Sequence, residues 1–177
     1  MTREPVQAFV AVGSNVDPYE NIPRALSLLG DRMKAVASST FYLTQPIEGS
    51  GKPPFVNGVW EVAAAVPARD MKFDILRAIE KELGRVRTKD RYAPRPIDLD
   101  LVIFGDLVQA EPDLTIPDPD IRTRAFLAVP LLQLAPGLRM PDDGTPLAKL
   151  SSSIPSNNMM PVNRLTQSLQ SIIGKED

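Results

Sequence analysis

Residues 84–105 read GRVRTKDRYAPRPIDLDLVIFG, and this stretch decides the fold prediction. Its first half is a basic loop that carries five cationic side chains and a single acidic one. Pro94 and Pro96 exclude a helix there, because each lacks a backbone N–H and favours an extended conformation in the preceding residue. Residues 97–104 then place an aliphatic side chain at every second position, a period that predicts a β-strand. A basic loop therefore leads directly into a strand.

The predicted strand presents two different faces. One face carries Ile97, Leu99, Leu101 and Ile103, and the other carries Asp98, Asp100, Val102 and Phe104. The Cα atoms of Asp98 and Asp100 are expected about 6.6 Å apart on the same side. Such a carboxylate pair can bind Mg²⁺ together with substrate phosphates, while nearby arginines bind the transferred phosphoryl charge. A solvated strand end beside a solvated basic loop is the alternative, and the residues alone leave both interpretations open.

The overall composition excludes several classes of function. The 177 residues include 20 Lys and Arg and 22 Asp and Glu, and the net charge of −2 argues against a general nucleic-acid binder. Disulfides and thiolate metal sites are excluded because the chain has no cysteine. A histidine general base and a zinc–imidazole site are excluded because it has no histidine. The N-terminus lacks a signal-peptide pattern and no window resembles a membrane span, so a cytoplasmic protein is expected.

Periodicity and turn signals predict the order of the elements. Strands are predicted over residues 7–12, 35–44, 55–66 and 97–104. One helix is predicted to begin at an Asp17 N-cap followed by Pro18 and to end at Gly30, and a second is predicted over residues 70–83. The order strand–helix–strand–strand–helix–strand predicts an α+β fold, a ferredoxin-like sandwich with helices packed on an antiparallel sheet.

The rest of the chain carries weaker signals. The predictions are an irregular or hairpin segment over residues 107–116, a turn over 117–120 and a helix over 121–134 that Pro130 interrupts. Residues 151–161 are rich in Ser, Asn and Pro, which is typical of a linker. Residues 162–173 have the spacing of an amphipathic helix that packs back on the body. We therefore expect one domain over residues 1–150, followed by a polar linker and a C-terminal amphipathic helix over 151–177.

The basic loop and its strand also resemble a known family. R-V-R followed by R-Y-A-P-R-P-I-D-L-D-L-V-I-F-G is similar to the signature of the 6-hydroxymethyl-7,8-dihydropterin pyrophosphokinases of the folate pathway. Three shorter segments support the resemblance in the expected order, namely V-G-S-N at 12–15, F-V-N at 55–57 and R-A-F-L at 124–127. The resemblance covers residues 6 to 150 and implies a ferredoxin-like catalytic domain. It implies transfer of pyrophosphate from ATP to the pterin, giving the pterin diphosphate and AMP.

The resemblance implies a role for each matching residue on the ATP side. Asp98 and Asp100 would hold two Mg²⁺ ions against the triphosphate, and Arg85 and Arg95 would join them as catalytic residues. The nucleotide would contact Arg77, Glu80, Arg87, Tyr92, Arg95, Thr115, Asp118 and Arg124. Planar guanidinium groups suit phosphate oxygens better than ammonium groups do. Without the resemblance, Arg77 and Glu80 would be interpreted as an ordinary solvated pair three residues apart on a helix.

A second group of residues matches the pterin site of the family. The resemblance implies pterin contacts from Gly13, Thr44, Ile47, Phe55, Asn57 and Phe126. Phe55 and Phe126 would stack on the two faces of the ring, and the Asn57 amide would offer both a donor and an acceptor to its edge. Residue chemistry alone leaves core packing open for the two phenylalanines and a simple turn open for Gly13.

The chain departs from the family pattern at three positions. Asp118 stands where the family commonly has histidine, Tyr92 where it has tryptophan, and Arg77 where it has glutamine. A carboxylate at position 118 should repel phosphate, so we expect the same reaction with altered ATP affinity.

Three other functions stay open from the residues alone. They are a catalytically weakened pterin or nucleotide binder, a ferredoxin-like module for single-stranded RNA, and a pyrophosphokinase that acts on another alcohol. The RNA module would need an aromatic cluster on its strands, which the sequence lacks. The expected partners are therefore two small-molecule substrates, without nucleic acid or membrane, and a monomer is expected.

Overall fold

An antiparallel sheet forms the centre of the computed structural model, which describes residues 4–45, 51, 53–90 and 93–175. The strands are β1 (Val6–Ser14), β2 (Lys34–Ser38), β3 (Tyr42–Thr44), β4 (Phe55–Ala64), β5 (Asp98–Phe104), β6 (Gln109–Glu111), β7 (Leu114–Ile116) and β8 (Met159–Pro161). Six of them form the main sheet in the order β5-β1-β4-β3-β8, and β2 pairs with the other half of β4. Strands β6 and β7 form a separate hairpin, which confirms the hairpin alternative for residues 107–116.

Five helices accompany the strands within the part of the chain that the structure describes. They are α1 (Pro18–Gly30), α2 (residues 68–82, built from Ala68–Asp70, Met71–Leu76 and Arg77–Glu82), α3 (Ala125–Leu134), α4 (Leu147–Ser153) and α5 (Asn163–Ile173). A short 3₁₀ helix covers Pro119–Arg122. The middle of α2 is wider than an α-helix, and the N–H of Arg77 bonds to the carbonyl of Lys72 five residues back. None of the described helices combines the length and hydropathy of a membrane span.

The topology confirms the predicted ferredoxin-like sandwich. The chain follows the order β1, α1, β2 and β3, β4, α2, β5, and every pairing in the main sheet is antiparallel. The single strand predicted over residues 35–44 is divided into β2 and β3. The chain bends between them at Ser39, whose N–H and hydroxyl oxygen both bond to the backbone of Val59, at 3.0 and 2.9 Å.

Each face of the sheet has its own apolar core. Helices α1, α2 and α5 cover the first face, where the largest buried side chain is Trp60. Helices α3 and α4 cover part of the second face, around Phe9 and Val59. The aspartates of β5 belong to the second face, because Val102 shares their alternation and packs in that core.

The predicted alternation of β5 is wrong in its second half. The register with β1 changes from Val10 opposite Leu101 to Phe9 opposite Ile103, which leaves Val102 as one extra residue. This β-bulge reverses the alternation, because the extra residue shifts every later side chain to the other face. Ile103 therefore packs in the second core, and Phe104 packs against the first.

Two other predictions need correction. Asp17 precedes α1 but makes no side-chain cap; it adopts a left-handed conformation, and its carbonyl accepts the N–H groups of Glu20 and Asn21. The predicted linker over residues 151–161 begins inside α4 and ends in β8, which pairs with β3. Polar side chains there reflect solvent exposure of ordered elements. The amphipathic C-terminal helix is confirmed as α5, which packs on the first face.

Gly58 of β4 allows Phe41 to pack directly on the sheet. A Cβ atom at residue 58 would lie 2.5 Å from two ring carbons of Phe41, which is buried against Trp60. We expect Gly58→Ala to destabilise the fold by about 1–3 kcal/mol, because overpacking forces neighbouring atoms to move. Gly137→Ala is the matched control, since a Cβ atom there meets open space. Thermal unfolding measures both variants, and equal melting temperatures for the two would contradict this packing argument.

Candidate active site

The two aspartates at the start of β5 lie in one row with the middle of the sheet. Asp98 pairs with Gly13 of β1, and Gly13 pairs with Asn57 of β4, so these three residues lie side by side on the second face. Asp100 follows on the same face, opposite Ala11. Gly13 contributes no side chain to this row between Asp98 and Asn57.

Two arginines of the basic loop bind Asp98. The Nη1 atom of Arg85 bonds to one carboxylate oxygen, and Nη1 of Arg95 bonds to the other at 2.6 Å. The Asp98 side chain is 18% exposed, whereas that of Arg85 is only 9% exposed. Burial alone would lower the pKa of Arg85, but the Asp98 and Glu80 carboxylates raise it, so the guanidinium keeps its charge.

Glu80 connects α2, the basic loop and β5. Its carboxylate is 2% exposed and bonds to Arg85, to Arg87 at 2.7 Å, and to the backbone N–H of Leu99 at 2.8 Å. The Leu99 N–H lies at the outer edge of the sheet, so Glu80 supplies the partner that a neighbouring strand would otherwise provide. Burial raises the pKa of Glu80, although the Leu99 N–H and the two arginines oppose the shift.

The interpretation of Arg77 and Glu80 as a solvated pair is wrong. Glu80 is buried, and the Arg77 guanidinium lies over the ring of Phe73, 4.2 Å from its centroid. The buried Nε of Arg77 has no hydrogen-bond partner among the described residues. A cavity of about 520 Å³ lies beside this cluster, lined by Arg77, Glu80, Lys81, Gly84, Arg85, Val86 and Arg87. Four of the seven lining residues are cationic and one is acidic, a balance that suits a phosphorylated ligand.

Asp100 lies among other acidic side chains. Asp100 is a solvent-exposed residue, but the protein atoms packed around it partly desolvate its carboxylate, and Asp98, Glu80 and Asp118 repel its charge. These effects raise the pKa of Asp100 to about 7, with Arg85 opposing them. A carboxylate in this environment gains free energy from a bound cation.

Asp118 lies close to this acidic group because its backbone is tied to β5. The Asp118 N–H donates to the carbonyl of Val102 at 2.9 Å. Its carboxylate caps the 3₁₀ helix by accepting the N–H of Asp120 at 2.8 Å. Burial raises the pKa of Asp118, and the charge of Asp120 adds to the shift. The Asp118 carboxylate thus has a structural role in addition to its charge.

Sequence reasoning missed two residues that hold the basic loop in place. Asn15 is 8% exposed, and its side-chain oxygen accepts the N–H of Arg95 at 2.6 Å while its own N–H donates to the Arg95 carbonyl at 3.1 Å. The buried Ser14 hydroxyl donates to the carbonyl of Pro96 at 2.6 Å. Their signal was the V-G-S-N segment at 12–15, which supported the family resemblance without giving Ser14 or Asn15 a role.

Residues of the predicted pterin site surround Gly13. Nδ2 of Asn57 donates to the hydroxyl of Thr44 at 2.7 Å, and that hydroxyl donates to the carbonyl of Phe55 at 3.2 Å. A Cβ atom at residue 13 would lie 2.8 Å from Oδ1 of Asn57 and 3.7 Å from the Phe55 ring. Gly13 lies inside β1, so the close approach of Asn57 and not a turn requires glycine there.

The other predicted site residues lie on neighbouring elements. Phe126 is 37% exposed in the first turn of α3, which argues against simple core packing. Arg124 is the exposed residue immediately before α3, and Thr115 is exposed on β7 with its hydroxyl donating to Glu111. Ile47 and Tyr92 lie outside the described residues.

Comparisons with known protein sequences identify the family of this chain. A model of the family described as 7,8-dihydro-6-hydroxymethylpterin-pyrophosphokinase (HPPK) matches residues 9–136. The chain is 39% identical over 153 residues to the 2-amino-4-hydroxy-6-hydroxymethyldihydropteridine pyrophosphokinase of Pseudomonas aeruginosa, covering 84% of this chain and 92% of that protein. It is 35% identical to the folic acid synthesis protein fol1 of Schizosaccharomyces pombe, covering 86% of this chain but 21% of the fungal protein.

A solved structure supports the fold. The wild-type HPPK-DHPS of Plasmodium falciparum with pteroate superposes with a TM-score of 0.69 at 12% identity, over 86% of this chain and 45% of that chain. The chain thus spans less than half of that larger protein. Since the family match covers most of the chain and the bacterial relative is matched almost end to end, the chain belongs to the 7,8-dihydro-6-hydroxymethylpterin-pyrophosphokinase family.

Proposed function

We propose that this chain transfers the pyrophosphoryl group of ATP to 6-hydroxymethyl-7,8-dihydropterin, a step of folate biosynthesis. The family match and the bacterial relative support this activity. The structural observation that carries the proposal is the adjacency of Asp98 and Asp100 with Arg85 and Arg95 at one end of β5. Carboxylates and guanidinium groups in contact are the combination that binds a metal–triphosphate complex.

The reaction needs positioning and charge compensation more than covalent chemistry. The hydroxymethyl oxygen of the pterin attacks the β-phosphorus of ATP, and the bond between that phosphorus and the α–β bridging oxygen breaks. AMP leaves with the bridging oxygen, and the hydroxyl proton is released. The barrier falls when the attacking oxygen is held in line and the developing charge meets fixed positive groups.

The carboxylates at the start of β5 fit a magnesium site that the substrate completes. No group of three or more Asp or Glu residues is arranged for a metal in the described parts of the chain. Mg²⁺ commonly uses one or two carboxylates and takes its remaining ligands from water and substrate phosphates, so Asp98 and Asp100 suffice. The metal would neutralise phosphate charge and orient the triphosphate. The binding of two ions is part of the proposal.

The two arginines on Asp98 would have different roles. Arg85 is 9% exposed and is held by Glu80 as well as Asp98, so it would provide a fixed positive charge beside the reacting phosphates. Arg95 is 26% exposed and its backbone is fixed by Asn15, so its side chain can turn towards the triphosphate while the loop stays in place. Arg87, Arg77, Thr115 and Arg124 would bind the rest of the nucleotide.

The pterin would lie over Gly13, between the amide of Asn57 and the carboxylate of Asp98. Two strand spacings separate the Cα atoms of Asp98 and Asn57, about 10 Å, which is the width of a bicyclic ring with its hydroxymethyl arm. Asn57 would bind the ring edge, and Phe55 and Phe126 would stack on its faces. This placement points the arm towards the triphosphate.

Other predictions from the sequence stay predictions. They are the catalytic domain over residues 1–150 with its C-terminal extension over 151–177, a monomeric state, a cytoplasmic location, and the absence of nucleic-acid and membrane partners.

The first prediction of this proposal concerns the products. Incubated with ATP, Mg²⁺ and the pterin, the protein should form AMP and pterin diphosphate in equal amounts, and only when the pterin is present. Asp98→Asn should lower kcat by about 100-fold or more, the effect typical of losing a charge that stabilises the transition state. Asp106→Asn, in the exposed turn after β5, is the matched control. Formation of ADP would exclude pyrophosphoryl transfer, and formation of neither nucleotide would indicate the weakened relative.

A second prediction follows from the raised pKa of Asp100. Between pH 3.8 and about 7, folded Asp100 holds a proton that the unfolded chain releases, so its contribution to stability falls as the pH rises through this window. In metal-free buffer, Asp100→Asn should therefore melt a few degrees above the unsubstituted protein at pH 8, and the difference should vanish near pH 3.5.

Magnesium supplies the second measurement for Asp100. MgCl₂ with a non-hydrolysable ATP analogue should raise the melting temperature of the unsubstituted protein more than that of Asp100→Asn, because only the former keeps both carboxylates. A melting-temperature difference that does not depend on pH, or equal stabilisation by the metal complex, would contradict the assignment.

A third prediction tests Asp118. Asp118→Asn should tighten Mg²⁺–ATP binding by removing a negative charge while keeping the cap on the 3₁₀ helix. Asp118→His restores the residue common in the family and should tighten binding at least as much. Isothermal titration with a non-hydrolysable ATP analogue measures both variants. Unchanged affinity in both would mean that the Asp118 carboxylate lies outside the nucleotide site.

A further inference from the structure

The C-terminal part of the chain lies outside the family match but contacts the strand that leads into the pterin site. The match ends at residue 136, whereas β8 and α5 span residues 159–173, which we name the C-terminal strap. We propose that the strap is a positioning element for pterin recognition. It fixes the backbone at Phe41 and Thr44, and the Thr44 hydroxyl in turn orients the Asn57 amide. The inference rests on the proposed function, since it takes Asn57 as the residue that binds the pterin edge.

The first contact is strand addition. Strand β8 pairs with β3 along its whole length, with Met159 opposite Thr44 and Met160 opposite Leu43. Strand β3 has only three residues, and so short a strand is poorly held by one neighbour alone. The strap therefore places β3 between two strands, β4 and β8, so that Thr44 has a paired strand at each edge.

The second contact fixes the residue just before β3. The N–H of Phe41 donates to the hydroxyl of Thr166 at 2.9 Å, and the carbonyl of Phe41 accepts the N–H of Val162 at 2.8 Å. Both backbone groups of a fully buried residue are thus bound by the strap. Thr166 is 7% exposed, so water does not readily replace its hydroxyl.

These two contacts converge on Asn57. The Thr44 hydroxyl accepts one N–H of the Asn57 amide at 2.7 Å, which sets the amide orientation and directs Oδ1 over Gly13. The Phe41 ring fills the space beneath Gly58, the next residue of β4. The Thr44 hydroxyl therefore binds Asn57 directly, Phe41 packs against the next residue of the same strand, and the strap contacts the backbone at both positions.

The strap has its own anchor in the core. Leu165, Leu169 and Ile173 of α5 are buried on the first face of the sheet, while the opposite side of the helix is exposed. Since this anchor lies on the face away from Asp98 and Asp100, loosening the strap should alter pterin binding and leave the metal–triphosphate end of the site unchanged. This selectivity separates a positioning role from a general contribution to stability.

Two variants of the full chain test the inference. Thr166→Val keeps the shape of the side chain but removes the acceptor for the Phe41 N–H, and Met160→Pro removes the N–H from the central residue of β8. Each should weaken binding of 6-hydroxymethyl-7,8-dihydropterin about five- to tenfold, the loss expected for one buried hydrogen bond, and should change the affinity for Mg²⁺–α,β-methylene-ATP less than about twofold. Isothermal titration measures both ligands, with the pterin titrated in saturating nucleotide analogue.

Two matched controls accompany these variants. Thr166→Ser keeps the hydroxyl and should restore pterin binding to that of the unsubstituted protein. Ser168→Ala removes an exposed hydroxyl from the same helix, which donates only within α5, and should leave both affinities unchanged. Circular dichroism melting verifies that each variant is folded at the temperature of titration.

The outcomes distinguish the inference from the proposed function. Folded Thr166→Val and Met160→Pro variants with unchanged pterin affinity, or with equal losses for pterin and nucleotide, would overturn the role of the strap. Asn57→Ala should weaken pterin binding whether or not the strap contributes. If the unsubstituted protein does not bind the pterin, or if Asn57→Ala binds it normally, the proposed site fails together with the inference.

Discussion

The buried carboxylate of Glu80 is the interaction on which the arrangement of the site depends. It joins the last turn of α2 to the edge of β5 through the Leu99 N–H and to the basic loop through Arg85 and Arg87. Removing one partner of a buried, hydrogen-bonded ion pair leaves an uncompensated charge, so these contacts are kept together or lost together. The nucleotide end of the site is therefore built around a single buried acidic side chain.

The two aspartates of β5 have surroundings of opposite charge. Asp98 has a guanidinium on each carboxylate oxygen, whereas Asp100 faces other carboxylates and has a pKa raised to about 7. The folded protein thus keeps a locally unfavourable concentration of negative charge beside neutralised positive groups. A metal–triphosphate complex would satisfy both, because its cation meets the carboxylates while its phosphates meet the arginines. Binding and relief of repulsion would then be the same event.

Local signals predicted the ferredoxin-like order, the end of β5 and the amphipathic α5, since each depends on periodicity within a few residues. Features that depend on residues distant in sequence could not be predicted. The role of Glu80 requires partners up to 19 residues away and a free strand edge, and Asn15 holds a loop 80 residues further on. The polar segment before α5 suggested a linker, because nothing in its composition reveals that β3 needs a second neighbour.

The bulge at Val102 gives β5 two halves of opposite phase. Before it, the second face receives carboxylates; after it, the same face receives an aliphatic side chain that fills the core under α3. Gain or loss of one residue within this strand would move the carboxylates of its first half, or the aliphatic side chain of its second half, to the opposite face of the sheet. The length of β5 is therefore fixed by two different requirements, a carboxylate pair at its start and a packed aliphatic side chain near its end.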